Sequence, residues 1–531
     1  MPVTELEKNL IQRVCVGDII TRSAARFPKR VALKDGEEVL TYRELNERVN
    51  RCGHALLSRG LKHQDRVALL LPNSWEFLVT YFACAKAGLV AVPLNPRLQA
   101  ADISFCLRDS GARVLVAHAM FAPLLGGVAG LEHVVWCRTD TVSSGDVKPE
   151  DRFETLLASG APSEVERIVR DRDLVQLLYT SGTTAEPKGV MTSHVAVTIT
   201  AFSSALETKM DHRDVFLAVL PLFHCAQLNG LTIPALLTGA ATVLLPAFDP
   251  KQVIGILERE NVTMTAMLPM MYQAILAELS GRNITFPSVR KAVYAMAPMP
   301  ESRISAIRSA FPNADVVLGS GQTELTPPTT FQRPEHQFTK TASWGPATTA
   351  VQIAIMDSDG NLLPPEETGE IVYRSPQAME GYLNQPDKTE EVFRHGWLHS
   401  GDMGWMDEEG VVWFADRKKD MIKTGGENVS SIEVERRLME HPAVQEAAVI
   451  GLPHKLWSEA VTGVVARKPG HSVTADELIA FCRETLAGFK VPKGIHFVDD
   501  FPRTGSGKIQ KHRLREMLKE FYAEQNGEAE R

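Results

Sequence analysis

No uninterrupted apolar run in this sequence is long enough to cross a bilayer. The one stretch free of Asp, Glu, Lys and Arg, from Val215 to Phe248, is broken by Pro221, Pro234, Gly239 and Pro246 and reads as a buried strand, a helix and a second strand. An apolar signal core is also missing from the N-terminal MPVTELEKNLIQRV, so export is not expected. Cysteine is sparse: the 7 residues at 15, 52, 84, 106, 137, 225 and 482 are odd in number and show no paired ligand spacing. That favours buried, reduced thiols over disulfides or a zinc site, and with them a cytoplasmic setting. Positive charge is in deficit, with 57 Lys plus Arg against 65 Asp plus Glu and a formal charge of -8. No global field therefore draws the chain to nucleic acid or anionic lipid, and small molecules are the expected partners. Internal repeats and low-complexity segments are absent as well; the longest turn-rich stretch, at 140–151, reads as a surface loop.

What is present is a chain of 531 residues, 44% apolar and 23% charged, too long for one compact core and too hydrophobic for disorder. VALKDGEEVLTY places Asp35 and Gly36 at a hairpin turn, and Thr41 with Glu44 forms a capping box for a helix running to about Gly60. RVALLLPN, a helix over Phe77 to Ala87, and GLVAVPLN then alternate in the manner of parallel sheets covered on both faces, and the alternation recurs from Val215 to Leu318. Beyond about Asp416 the character changes to a basic run, a Gly-Gly pair and shorter elements such as AVQEAAVIGL and EAVTGVVARK. The predicted fold class is α/β: a large multi-sheet N-terminal domain, residues 1–418, and a small mobile α+β C-terminal domain, residues 419–531.

The segment richest in chemistry is LYTSGTTAEPKGVM, Leu178 to Met191. An apolar strand there feeds Thr180, Ser181, Gly182, Thr183 and Thr184, with Lys188 following. Such a loop can turn amides and hydroxyls toward phosphate oxygens while the lysine adds a point charge. Neither this loop nor GSGKIQK at 505–511 has the spacing of a Walker phosphate loop, which disfavours a P-loop NTPase.

TSGTTAEPKGV closely resembles the phosphate-loop signature of the adenylate-forming superfamily, which comprises acyl-CoA synthetases, peptide-synthetase adenylation domains and luciferases. Four further segments match in the family's order: PLFH at 221–224, GQTE at 321–324, the run from His399 to Val429, and PRTGSGKIQK at 502–511. Acyl-CoA synthetases are the nearest in character. The resemblance implies ATP, Mg2+ and coenzyme A as cofactors, and attack of a carboxylate on the α-phosphate of ATP. Positive charge is needed where the two anions meet. It implies Glu324 and Thr184 at the metal, and Lys508, Glu324, Thr184 and His224 as catalytic residues. Nucleotide contacts are implied for Thr180, Ser181, Gly182, Thr183, Thr184, Lys188, Ala297, Pro298, Ser320, Gly321, Gln322, Thr323, Asp402 and Arg417. For the second half-reaction it implies rotation of the small domain about a hinge at Lys419, with Gly425 and Gly426 lining a pantetheine tunnel. Trp457, Phe489, Lys490 and Lys493 would face CoA. For the Gly pair a simple turn between strand and helix has comparable weight, and for Trp457 and the lysines ordinary packing and solvation do.

The chain departs from the family pattern around adenine. Ser320 stands where many relatives place a stacking aromatic, Ala295, Met296, Ala297 and Pro298 replace a Gly-Gly-Ala-Pro stretch, and Ala185 replaces a glycine. Two alternatives to complete acyl-CoA synthesis follow: a ligase fed with acyl-AMP by a separate adenylating partner, and a stand-alone enzyme loading a carrier protein. A homodimer is compatible with either. An amino-acid-activating domain is disfavoured, because no acid lies between 215 and 248 to pair with a substrate ammonium. A regulator without catalysis is opposed by Glu324, Asp402, Arg417 and Lys508; oxygen-dependent light emission would reveal a luciferase-like oxygenase. His224 to Gly230, Met270 to Tyr272 and Met296 are candidates to line an apolar acid pocket, and core packing explains the same methionines.

Overall fold

The computed structural model describes residues 3–126, 128, 130–139, 147–180, 187–295, 299, 301–503 and 509–523. The chain divides into two compact units, one of Met1–Ile353, Tyr373–Leu398 and Gly410–Val412, the other of Ala354–Val372, His399–Glu409 and Trp413–Arg531.

Two large sheets organise the first unit. One has eight strands, in the order Thr330–Phe331, Asp315–Ser320, Lys291–Ala295, Met264–Met267, Val215–Ala218, Ala241–Leu244, Val31–Asp35 and Glu38–Thr41. Its inner strands are parallel and only the outermost on each side runs antiparallel. The other has seven, in the order Gly381–Tyr382, Lys188–Ser193, Leu174–Thr180, Val90–Pro93, Arg66–Leu70, Val114–His118 and His133–Cys137. The unbroken apolar reading of RVALLLPN has a direct cause here. Val67 and Leu69 join one buried cluster while Ala68 and Leu70 join another, because successive side chains leave a strand on opposite faces and both faces are covered.

Local signals act as expected. The hairpin turn places Gly36 at φ 62°, and the Thr41–Glu44 capping box opens the helix Tyr42–Ser58. Ser74 caps Trp75–Ala87, which ends at left-handed Gly88. All thirteen residues of that helix are buried, so it carries no polar stripe. Its one amine, the fully enclosed Lys86 Nζ, donates to Asn46 Oδ1 (2.7 Å), Asn50 Oδ1 (2.8 Å) and Glu164 Oε2 (2.6 Å). The charge-free stretch folds as strand Val215–Ala218, helical residues from Cys225 to Thr238 and strand Ala241–Leu244; a π-turn at Leu228–Thr232 was not signalled by the sequence. Among the described residues no helix is long and apolar enough to cross a membrane, and all seven cysteines are buried and free.

In the second unit Glu427–Val429, Ile422–Thr424, Ser458–Arg467 and Val444–His454 form an antiparallel sheet, with Gly494–Phe497 added parallel to Ser458–Arg467. Helices Ser431–Met439 and Ala475–Arg483 pack on one face through Val434, Leu438, Leu478 and Cys482, and Lys511–Met517 covers the other through Leu514. This is the α+β module expected from the short alternating elements.

Candidate active site

Four adjacent parallel strands of the eight-stranded sheet end on one edge, and the sequence motifs follow those ends. Val215–Ala218 leads to PLFH, Met264–Met267 to the helix Pro269–Glu278, Lys291–Ala295 to residues 296–298, and Asp315–Ser320 to GQTE. Ligand sites of open α/β sheets form at such carboxyl edges. The residue that follows PLFH touches GQTE there, 98 positions along the chain: Cys225 Sγ lies 3.4 Å from Thr323 Oγ1. Cys225 is enclosed and burial pushes its thiol up to about 12, so it stays neutral. His224 is exposed, and its Nδ1 accepts a 3.2 Å bond from the Ala226 N–H, which assigns the ring proton of the neutral form to Nε2.

Gly321 is required sterically, since a Cβ would lie 2.6 Å from Pro327 Cβ and 3.1 Å from the Thr329 nitrogen. The Thr329 N–H donates to the Ser320 carbonyl at 2.8 Å, tying the motif back onto its strand. Glu324 then sits in the 3-10 turn Thr323–Leu325, half-buried. Its backbone carbonyl accepts from the Met379 N–H (2.8 Å) and its Oε1 from the Tyr382 hydroxyl (2.9 Å). Burial, then the charge of Glu324, raises the Tyr382 phenol well above its usual range, so it remains a donor. The face of the same ring receives Lys188, with Nζ 5.0 Å from its centroid. Lys188 pairs with Thr180 across two antiparallel strands. Tyr382 was not among the residues singled out from the sequence. Its importance comes from contacts with partners far along the chain, and the short GYLNQP run gives no sign of them.

Ser181, Gly182, Thr183, Thr184, Met296, Ala297, Pro298 and Lys508, named above from the resemblance, lie outside the described residues. Among the described residues no three His, Cys, Asp or Glu side chains gather into a metal cage. The Glu324 carboxylate and the Thr323 hydroxyl nevertheless supply hard oxygens. That donor set fits Mg2+, which is usually held by one or two carboxylates together with substrate phosphates and water.

In the second unit Asp402 and Arg417 come together, with Nε 2.8 Å from Oδ1. Glu370 braces the same loop by accepting from the Gly401 N–H (3.0 Å), Lys418 Nζ (3.0 Å) and His399 Nδ1 (3.1 Å). Burial pushes the Glu370 carboxyl upward, but these donors outweigh it and hold it below the usual range. Lys419 is exposed in the turn that follows the strand Val411–Arg417.

Gly425 and Gly426, at φ 58° and 89°, form a two-residue hairpin between strands Ile422–Thr424 and Glu427–Val429. The turn joins two strands rather than strand and helix, and both residues need the left-handed region that glycine enters without strain. The Gly425 N–H donates to the Trp457 carbonyl at 2.9 Å, and Lys493 Nζ lies 5.0 Å from the Trp457 ring centroid. Those three candidates for CoA are therefore assembled together. Burial lowers the Lys493 ammonium below its usual range, as does Arg483 nearby. Lys490 is drawn elsewhere, bonding both oxygens of Glu433 at 2.8 Å, with Phe489 exposed beside it.

A two-sheet α/β unit with nucleotide-type motifs on its strand edges, joined in one chain to an α+β module, defines an adenylate-forming enzyme. The family model described as AMP-binding enzyme matches residues 20–383, and that of the AMP-binding enzyme C-terminal domain matches residues 433–508. The chain is 37% identical over 500 residues to a feruloyl-CoA synthase of Amycolatopsis sp, covering 94% of this chain and 98% of that protein. It is 35% identical over 477 residues to the long-chain-fatty-acid--CoA ligase FadD13 of Mycobacterium tuberculosis, covering 90% and 93%. The crystal structure of the anthranilate CoA ligase AuaEII in complex with anthranoyl-AMP superposes with a TM-score of 0.86 at 28% identity, covering 97% of this chain and 99% of that one. The chain belongs to the AMP-binding enzyme family and is an acid–CoA ligase of the AMP-forming kind.

Proposed function

We propose that this ligase activates a hydrophobic aromatic or fatty acid, in the cytoplasm, with Mg2+ and with the site residues assigned as follows. The observation that carries the reading is the shared strand edge at which PLFH meets GQTE through Cys225 and Thr323. Partly buried Phe223, Leu268 and Met271 give that edge the apolar character a hydrophobic acid needs, and the relatives' names span aromatic and long-chain acids. Tyr272 is not part of this wall; it is enclosed, and its hydroxyl donates to the Val293 carbonyl.

In the first half-reaction an acid oxygen bonds to the α-phosphorus of ATP as the bond to the β-phosphate oxygen breaks and pyrophosphate leaves. Lys188 and the loop after Thr180 cradle the phosphates, Glu324 and Thr184 would hold Mg2+, and Lys508 bridges acid and α-phosphate. Bound Mg2+ supplies positive charge against the phosphate oxygens. Asp402 accepts from the ribose hydroxyls and Arg417 adds a charged donor. In the second half-reaction the CoA thiolate bonds to the acyl carbon, the acyl–phosphate bond breaks and AMP leaves, with His224 beside the acyl group. We place the functional division at 418/419, with Lys419 the hinge and Gly425, Trp457 and Lys493 facing CoA.

Transfer from acyl-AMP supplied by a partner enzyme is not favoured, since the relatives are named as CoA ligases and synthases. The test is mass spectrometry of CoA thioesters over aliphatic, aromatic and polycyclic acids with ATP and Mg2+, beside ATP–pyrophosphate exchange. Thioesters of apolar acids with matching exchange are expected. Absence of both across the panel refutes the reading.

A further inference from the structure

We propose that Tyr382 is a positioning residue of the adenylation half-reaction, standing between Glu324 and Lys188 and holding each so that these opposite charges do not pair with one another. The proposal rests on the roles assigned above to those two residues. A glutamate and a lysine recruited to one phosphate site attract each other strongly in partly buried surroundings. If they met, the carboxylate intended for a metal and the ammonium intended for phosphate would both be spent. No ion pair joins them among the described residues, and the side chain that contacts both is Tyr382: its hydroxyl donates to Glu324 Oε1 at 2.9 Å, and its ring faces Lys188 Nζ at 5.0 Å from the centroid. Tyrosine suits this place because it offers a neutral donor at one end and a π face along its body. A carboxylate has about four lone-pair sites, so one bond from a phenol orients it and leaves capacity for a cation.

The placement of Tyr382 is itself determined at several points. The Met379 N–H donates to the Glu324 carbonyl at 2.8 Å, so the segment that carries Tyr382 is fixed to Glu324 by backbone as well as by side chain. Tyr382 pairs with Val190 on the strand that begins at Lys188, and the Leu383 N–H donates to the Gly189 carbonyl at 2.8 Å. The Tyr382 N–H donates to Thr389 Oγ1 at 2.9 Å, and the ring is nearly enclosed. The segment thus bridges the phosphate-loop strand and the GQTE turn, and the phenol stands at the crossing.

The test is calorimetric binding of a non-hydrolysable ATP analogue, with Mg2+ and with EDTA, to the wild-type chain, Tyr382→Phe and Tyr382→Leu. The wild type gains affinity with Mg2+. Tyr382→Phe keeps the ring under Lys188, so its metal-free affinity is unchanged while the gain with Mg2+ shrinks about tenfold. Tyr382→Leu additionally loses about tenfold in metal-free affinity as Lys188 turns to Glu324. An undiminished Mg2+ gain in Tyr382→Phe overturns the proposal whether or not the leucine variant folds, and so does wild-type metal-free affinity in Tyr382→Leu. A wild-type chain that gains nothing from Mg2+ removes the role of Glu324 instead, and that of Tyr382 with it.

Discussion

Gly321→Ala is the smallest change that reaches the proposed metal carboxylate through the backbone alone. The added methyl would meet Pro327 Cβ at 2.6 Å and the Thr329 nitrogen at 3.1 Å. Carbon atoms pack at roughly 3.5–4.0 Å, so about 1 Å of movement must be found. The bond from the Thr329 N–H to the Ser320 carbonyl, 2.8 Å long, resists that movement on one side, and the turn carrying Glu324 lies on the other. Overpacking of this kind costs about 1–3 kcal/mol of stability. If the movement is taken up by the Thr323–Leu325 turn, a carboxylate displaced by about 1 Å costs on the order of a hundredfold in the step it serves. ATP–pyrophosphate exchange, read beside the midpoint of thermal unfolding, checks both figures. Exchange within threefold of wild type at an unchanged midpoint would refute the view that this backbone sets the position of Glu324.

Lys508→Ala should cripple acyl-AMP formation yet leave thioester formation from synthetic acyl-AMP largely intact; equal loss in the two assays rejects a role confined to adenylation. Lys419→Pro should slow the alternation between half-reactions by fixing φ at the proposed hinge, and wild-type rates for both would place the hinge elsewhere. Ser320→Phe should tighten ATP binding by about 1 kcal/mol, a few-fold to tenfold, by restoring a stacking surface for adenine; unchanged affinity in a calorimetric titration argues against that site for the base. His194 is fully enclosed and its Nδ1 accepts from the Val16 N–H at 3.1 Å; burial first, then Arg13 and His63, lower it from 6.5 to about 3. Between those two values the unfolded chain binds a proton that the folded chain refuses, so stability falls by up to about 1.4 kcal/mol per pH unit on acidification below 6.5. His194→Gln should flatten the denaturation midpoint between pH 6.5 and 5 relative to wild type, and parallel profiles would refute the assignment.

The alternating elements were legible because both sheet faces are buried, which turns strands such as Arg66–Leu70 into unbroken apolar runs and leaves turns and caps as punctuation. PLFH and GQTE were legible as motifs, while their meeting through Cys225 and Thr323 was not, because strand order in the sheet decides which distant loops share an edge. Tyr382 escaped for the same reason. Lys490 illustrates the opposite difficulty: the resemblance implied that it faces CoA, and nothing in the sequence signals that Glu433, 57 residues away, bonds its ammonium. The Gly-Gly pair is explained by its positive φ angles alone, so the residue type there cannot by itself argue for a tunnel.

The enclosed Lys86 limits the ways in which the first unit can move. Its ammonium has three protons and three acceptors, two on the helix Tyr42–Ser58 and one on Glu164, whose other oxygen accepts from Asn46 and Asn50. On a third side, a Cβ at Gly17 would come within 2.5 Å of Lys86 Cγ, so the helix Gly17–Arg26 touches Trp75–Ala87 at that residue. Sliding the central helix by one turn, about 5.4 Å, would break up the three-acceptor set around a buried ammonium. Shear along that helix is opposed by the loss of those bonds. Movement within the first unit is therefore least costly when these three helices travel together.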